Sequence, residues 1–139
     1  MIPFTVLRTA VGSAPSLFTL RLLKSIPDVR VVAADADPLS FGFHFADANY
    51  VIPLADSADF IPEITRICRI EQISLIMAAV NEEIAQLAMA KGRFREMGVI
   101  VPVPDPQSVE ICLDKYLTYC FFRQQGIQGC FFSSCNNHS

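Results

Sequence analysis

Several features that would assign a function at once are missing from this sequence. No apolar run reaches the ~18 residues that a membrane-spanning helix needs. The N-terminus, MIPFTVLRTAVGSAP, has no basic leader followed by a long apolar stretch, so a signal peptide is not expected. Lys and Arg number 11 against 14 Asp and Glu, a formal charge of -3, and the cations form no cluster. Nucleic-acid binding, which rests on clustered Lys and Arg facing phosphates, is thereby disfavoured. The five cysteines (Cys68, Cys112, Cys120, Cys130 and Cys135) form no C-x-x-C pair, and neither His44 nor His138 matches a zinc spacing with them. That argues against a disulfide framework and against structural zinc. Cys68, Cys112 and Cys120 sit inside apolar patterns and are expected to be buried thiols. The expected location is cytoplasmic, with no membrane and no nucleic-acid partner.

What is present fits a sheet covered on both faces. Hydrophobic residues make up 52% and charged residues 18% of 139 positions, enough for one domain with a core of its own. Buried parallel strands read as continuous apolar runs rather than as alternation. FTVLRT (4–9), VRVVAA (29–34), YVIP (50–53), ISLIMAA (73–79) and GVIVPVP (98–104) read as strands in chain order. Between them, 16–26 has apolar residues at helical spacing, with Pro15 suited to a first turn and Ser13 or Ala14 preceding it. A second helix starts near Ser57 or Asp59, and a third covers 81–97, with Asn81 as a candidate cap and Glu82 and Glu83 at its positive end. A short helix follows Asp105, and KYLTYCFFRQQ makes or continues a helix up to Gly126. Strands alternating with helices predict an α/β fold, a three-layer α/β/α Rossmann-like open parallel sheet in the order 3-2-1-4-5. Residues 1–127 form the expected domain, and 128–139 an irregular tail.

In such a sheet ligands bind beyond the carboxyl ends of the strands, where strand order reverses. That selects the loops 10–15, 35–38 and 80–83. The first, TAVGSAP, is not a dinucleotide fingerprint: Gly12 stands alone and Pro15 removes an amide donor. Gly12 makes a tight turn and Ser13 caps the helix, or Ser13 donates to a small anion. Asp35 at the end of strand 2 either holds a ligand hydroxyl or orders the loop DADP through nearby amides, as Asp37 is expected to do. The acid pair Glu82 and Glu83 binds an amine or a metal, or simply suits a helix start. His44, among phenylalanines in FGFHFAD, is expected to be packed or half-exposed rather than catalytic. A phospho-acceptor receiver is a poor match, because strand 1 ends in RTAVG rather than in an acidic pair.

Taken in order, VLRTAVGSAPSLFTLRLLKS, VVAADADPLSFGFHFADANYVIPLAD, ISLIMAAVNEEIAQLA and FREMGVIVPVPDPQSVEICLDKYLTYCFFRQQGI resemble the N-terminal, pre-ATP-grasp domain of ATP-grasp ligases. The nearest branch resembles the large subunit of carbamoyl-phosphate synthase and its relatives. Asp35, Asp47 with 51–53, Glu83 and the pair Asp114 and Lys115 fill the family's places. Ser74 stands where members often carry Asp, and there are fewer glycines after strand 1. The resemblance implies Lys115 as a contact to ATP phosphates, as in relatives such as biotin carboxylase, where a flexible ammonium suits a polyphosphate. It implies Gly12, Ser13, Asp35 and Glu83 as substrate contacts, with no catalytic residue and no metal ligand on this chain. ATP and magnesium are expected in the complete enzyme and none held tightly here alone. The implied reading is the N-terminal domain, or a split or truncated part, of an ATP-dependent carboxylate–amine ligase that is inactive by itself. Its partner would be an ATP-grasp domain on a separate chain, or a second copy in a homo-oligomer. Two alternatives stay open: a non-catalytic docking or binding subunit, and a small nucleotide-binding module.

Overall fold

The computed structural model describes residues 4–78 and 80–127. Strands β1 (Phe4–Thr9), β2 (Val29–Asp35), β3 (Ala48–Val51) and β4 (Leu75–Met77) form one parallel sheet in the order β3-β2-β1-β4. Phe4 lies opposite Val29, Val6 opposite Leu75, and Val32 opposite Ala48. The α-helices are α1 (Ala14–Lys24), α2 (Phe60–Ile70), α3 (Asn81–Glu96), α4 (Pro106–Leu113) and α5 (Lys115–Gln124), with a 3-10 turn at Phe41–Phe45.

Side chains alternate across a strand, and β2 shows why three layers form. Val31 and Ala33 meet Val11 and Leu20 on the α1 side. Val32 and Ala34 meet Leu7, Phe60, Ile64 and Phe94 on the α2 and α3 side. Helix α2 buries Phe60, Ile64, Ile67 and Cys68, the spacing of a single helical stripe. Each such large side chain contributes about 1.5–3 kcal/mol by leaving water. On the other face the 3-10 turn comes so close that a Cβ on Gly42 would stand 2.3 Å from the Val11 carbonyl oxygen. Only glycine allows that approach.

The expected strand order holds for its first four members, and the fifth segment is weaker than expected. Ile100 donates to the Ser74 carbonyl at 2.9 Å and accepts from the Ile76 amide at 2.9 Å, a single parallel bridge at the β4 edge. Pro102 and Pro104 have no amide hydrogen, so the run cannot extend the ladder. β4 is also shorter than its apolar run.

Two caps differ from expectation. Ser13 holds the position before α1 without capping it through its side chain; its hydroxyl lies 2.7 Å from Ser16 Oγ. Asn81 is already inside α3, and the capping position falls on Val80, which has no side chain able to accept. Asp114, by contrast, caps α5 by accepting from the amides of Tyr116 at 2.7 Å and Leu117 at 3.0 Å. Of the three thiols expected inside, Cys68 is buried, Cys112 exposed and Cys120 half-buried. The last two lie on helices with few buried positions: α4 buries Val109 and α5 buries nothing. Cys130, Cys135 and the expected tail at 128–139 lie outside the described residues.

Candidate functional site at the strand ends

A parallel sheet brings all its strand ends to one edge, and here a cleft of about 340 Å³ crosses that edge. Ala10 follows β1, Asp35 ends β2, Pro53 and Asp56 follow β3, and Val80, Glu82 and Glu83 follow β4; all line it. Asp56 and Glu82 then border a second cavity of about 420 Å³ along α3. Through Ala85 and Leu113 this meets a third of about 580 Å³ that ends at Asp114. Shared lining residues thus run from the strand ends to the start of α5.

Glu83 is buried at 6% exposure in the first turn of α3, and its Oε2 accepts from the Thr9 hydroxyl at 2.5 Å. Register dictates that pairing: Thr9 is the last residue of β1, and α3 begins four residues after β4, its neighbour in the sheet. Arg8, at 7% exposure, precedes Thr9 on β1 and reaches α1 on the opposite face. Its guanidinium donates to the carbonyls of Thr9 at 3.0 Å and Met77 at 3.1 Å and to Ser16 Oγ at 3.0 Å. Burial lowers the pKa of Arg8 from the ordinary arginine value, and the Glu83 charge opposes that shift.

Asp35 organises the adjoining loops. Its Oδ2 accepts from the Gly12 amide at 2.7 Å and the Ser40 hydroxyl at 3.2 Å, and its Oδ1 from the Asp37 amide at 2.9 Å. Asp37 in turn accepts from the Leu39 amide at 2.9 Å. A Cβ on Gly12 would lie 3.0 Å from Ser40 Oγ, so the glycine also clears room for this knot. Ala10, at φ 50°, is held in the left-handed region at the lip of the cleft, its carbonyl accepting from Ser16 Oγ at 2.8 Å.

The structure thus brings Gly12, Asp35 and Glu83 to one edge, with the Ser13 hydroxyl turned towards Ser16 and the Ala10 carbonyl. Lys115 does not join them. It is exposed at the start of α5 and lines none of the three linked cavities, although Asp114 beside it closes the last. Among the described residues no three His, Cys, Asp or Glu side chains converge to hold a metal ion. Sequence reasoning missed Arg8, Thr9 and Asp56. The signal for Arg8 was available: an arginine inside FTVLRT, a strand otherwise bound for the centre of a sheet.

Residues 10–102 match the family described as PylC-like, N-terminal domain. The chain belongs to that family. The resemblance to a pre-ATP-grasp N-terminal domain therefore holds for this PylC-like domain. No curated protein matches the chain. The fold recurs in N5-carboxyaminoimidazole ribonucleotide synthetase from Thermotoga maritima, at 20% identity and a TM-score of 0.62, over 89% of this chain and 31% of that one. It recurs in L-amino acid ligase from Bacillus licheniformis, at 15% identity and a TM-score of 0.66, over 92% and 32%. A third is glycinamide-RNase-transformylase T from Mycobacterium tuberculosis, at 17% identity and 0.65, over 87% and 35%. The PylC-like domain spans about a third of the length of these structures.

Proposed function

We propose that this domain is the N-terminal part of an ATP-dependent carboxylate–amine ligase, of the carbamoyl-phosphate synthase large-subunit kind, acting in the cytoplasm. In that reaction class a carboxylate is activated as an acyl phosphate, and an amine displaces the phosphate as the C–N bond forms. The domain's share is the substrate end. The observation that carries this reading is the cleft itself, with a buried carboxylate, Glu83, at the shared edge of four strands. Asp35, Asp56 and Glu82 add negative charge to its walls, which suits a protonated amine. Gly12, Ser13 and Asp35 shape the lip beside it, and Glu83 faces the amine.

The nucleotide belongs to an ATP-grasp domain, on the same polypeptide or a separate one. Lys115, beside Asp114 at the start of α5, reaches the phosphates only with that domain in place. No ATP turnover is expected from the isolated chain. Calorimetry of the pure chain against small primary amines, native and Glu83→Gln, tests the cleft; saturable binding lost in the variant supports it. Robust hydrolysis of ATP by the chain alone would overturn the division of labour.

One observation favours docking as a second role. Helix α5 buries no residue, and Tyr116 and Phe121 are 71% and 39% exposed. A neighbouring domain, or a second copy, would cover that face. The dinucleotide reading has less support, since the Gly12 amide and both oxygens of Asp35 are already engaged.

A further inference from the structure

Two apolar faces stay open on opposite layers of the sheet, and they differ in charge. The first is the outer side of α1. Phe18 is 73% exposed, and Leu22 and Ile26 follow it at intervals of four, both exposed, the last just past the end of the helix. That spacing places them on one stripe, while Ser16 and Leu20 turn inward. No Asp or Glu occurs from residue 10 to 27, whereas Arg21 and Lys24 do. Lys24 pairs with Asp47; Arg21 lies 5.5 Å over the Phe45 ring and has no acidic partner among the described residues. The second face lies along α3 and α4. Two cavities there, of about 420 and 580 Å³, share Ala85 and Leu113. At about 30 Å³ per water in the liquid, each has room for whole side chains. Leu113 is exposed between them, and Met89 in the larger is 75% exposed. Every charged residue lining the two is an acid: Asp56, Glu82, Glu110 and Asp114. None of the four has a cationic partner among the described residues.

We propose that α1 of one copy seats against the α3–α4 face of the next, so that the chain associates with itself head to tail. Charge selects this occupant. Two copies meeting symmetrically through α1 bring cations together with no acid on either stripe. Two meeting through α3 and α4 set four acids against four. Only the crossed pairing puts Arg21 opposite carboxylates while Phe18 and Leu22 cover Met89 and Leu113. The sheet stands between the two faces, since α1 packs on Val31 and Ala33 and α3 on the layer of Val32 and Ala34. A copy therefore cannot fill its own α3–α4 face. A contact between two different patches is heterologous and repeats from copy to copy unless it closes into a ring. One helix on a shallow face buries less than a standard interface, so the association is weak, and its charges make it sensitive to salt.

The test uses the full chain in reducing buffer and needs no ligand. Sedimentation velocity is followed up to about 300 µM, where weak interfaces associate. The average mass should rise with concentration and fall back as salt is added; a chain monomeric throughout overturns the proposal. Two variants then separate the faces. Phe18→Glu breaks α1 and keeps the α3–α4 face, and Leu113→Lys does the reverse. Each alone should be monomeric, because every contact needs both faces. An equal mixture restores a single contact and should give a 1:1 dimer that grows no further. Self-association of either variant alone, as a symmetric contact or one through α5 would give, overturns the proposal. So does a mixture of the two folded variants that stays monomeric. Leu22→Glu and Met89→Lys, also at exposed positions, replace a variant that circular dichroism shows to be unfolded.

Discussion

The sheet body and the α4–α5 hairpin are built from similar residues and held in different ways. In the body, Phe60 and Phe94 are fully buried, and every strand contributes to a packed layer. In the hairpin, α4 anchors through Val109, and α5 follows it with aromatic side chains still exposed. The two regions also divide the candidate site. Glu83, Asp35 and Gly12 are set by the body's own packing and hydrogen bonds, whereas Lys115 stands on the part that packing does not fix. A binding group on a cored element is ready before its ligand arrives. One on α5 depends on what covers that helix.

The contrast is sharpest in stability. Phe94→Ala should destabilise the chain by about 3–5 kcal/mol in urea unfolding, from lost burial and the cavity left behind. A loss under about 1 kcal/mol would show that α3 is not anchored as described. Gly42→Ala should cost about 1–3 kcal/mol, because its Cβ would press on the Val11 backbone rather than on a side chain that could move.

An acid titration reads a different part of the body. Glu71 is held below the ordinary carboxylate range, first by the hydroxyl of Tyr50 and then, against burial, by Arg30. A lowered folded pKa stabilises fully above the unfolded value, and that share is lost as pH falls through the folded one. Thermal stability should therefore decline below about pH 4.5, and Glu71→Gln should flatten the decline. Asp47 adds to the same limb: burial pushes it up, but bonds from Lys24 at 2.5 Å and the Val31 amide at 2.8 Å bring it below its usual value. Cys68, pushed up to about 12 by burial, stays a thiol throughout and should resist alkylation until the body unfolds.

The smallest effects belong to the hairpin. Tyr116→Ala and Lys115→Ala should each change unfolding by no more than about 0.5 kcal/mol. Either change costing as much as Gly42→Ala would mean that α5 is packed more firmly than its exposure indicates, and the contrast would fail.

Particular residues show how far the sequence could be read. The strand order through β4, the crossover helices and the three strand-end loops follow from runs such as VRVVAA and from the length of chain between them, because a short apolar run followed by a helix has few ways to return to a parallel sheet. The fifth strand was overread: an apolar stretch looks like a strand whether or not its amides can pair, and Pro102 and Pro104 decide that locally. Cys112 was overread for a related reason, since apolar neighbours in sequence bury a thiol only when another element covers them. Asp35 was ambiguous because a carboxylate that orders a loop and one that meets a ligand have the same neighbours in sequence; the three donors around it come from residues 12, 37 and 40.

The sequence by itself determined the layers, the direction of the strands and the edge that the cleft crosses. These depend on periodicity and chain connection, which are local. Only the tertiary structure decided which groups at that edge meet. Thr9 and Glu83 are 74 residues apart and Arg8 and Met77 are 69 apart, and each pair meets because β1 lies beside β4 in the sheet. Pairing of strands distant in sequence is a property of the whole packed core, and a charge near the end of a central strand acquires its partners from that neighbour.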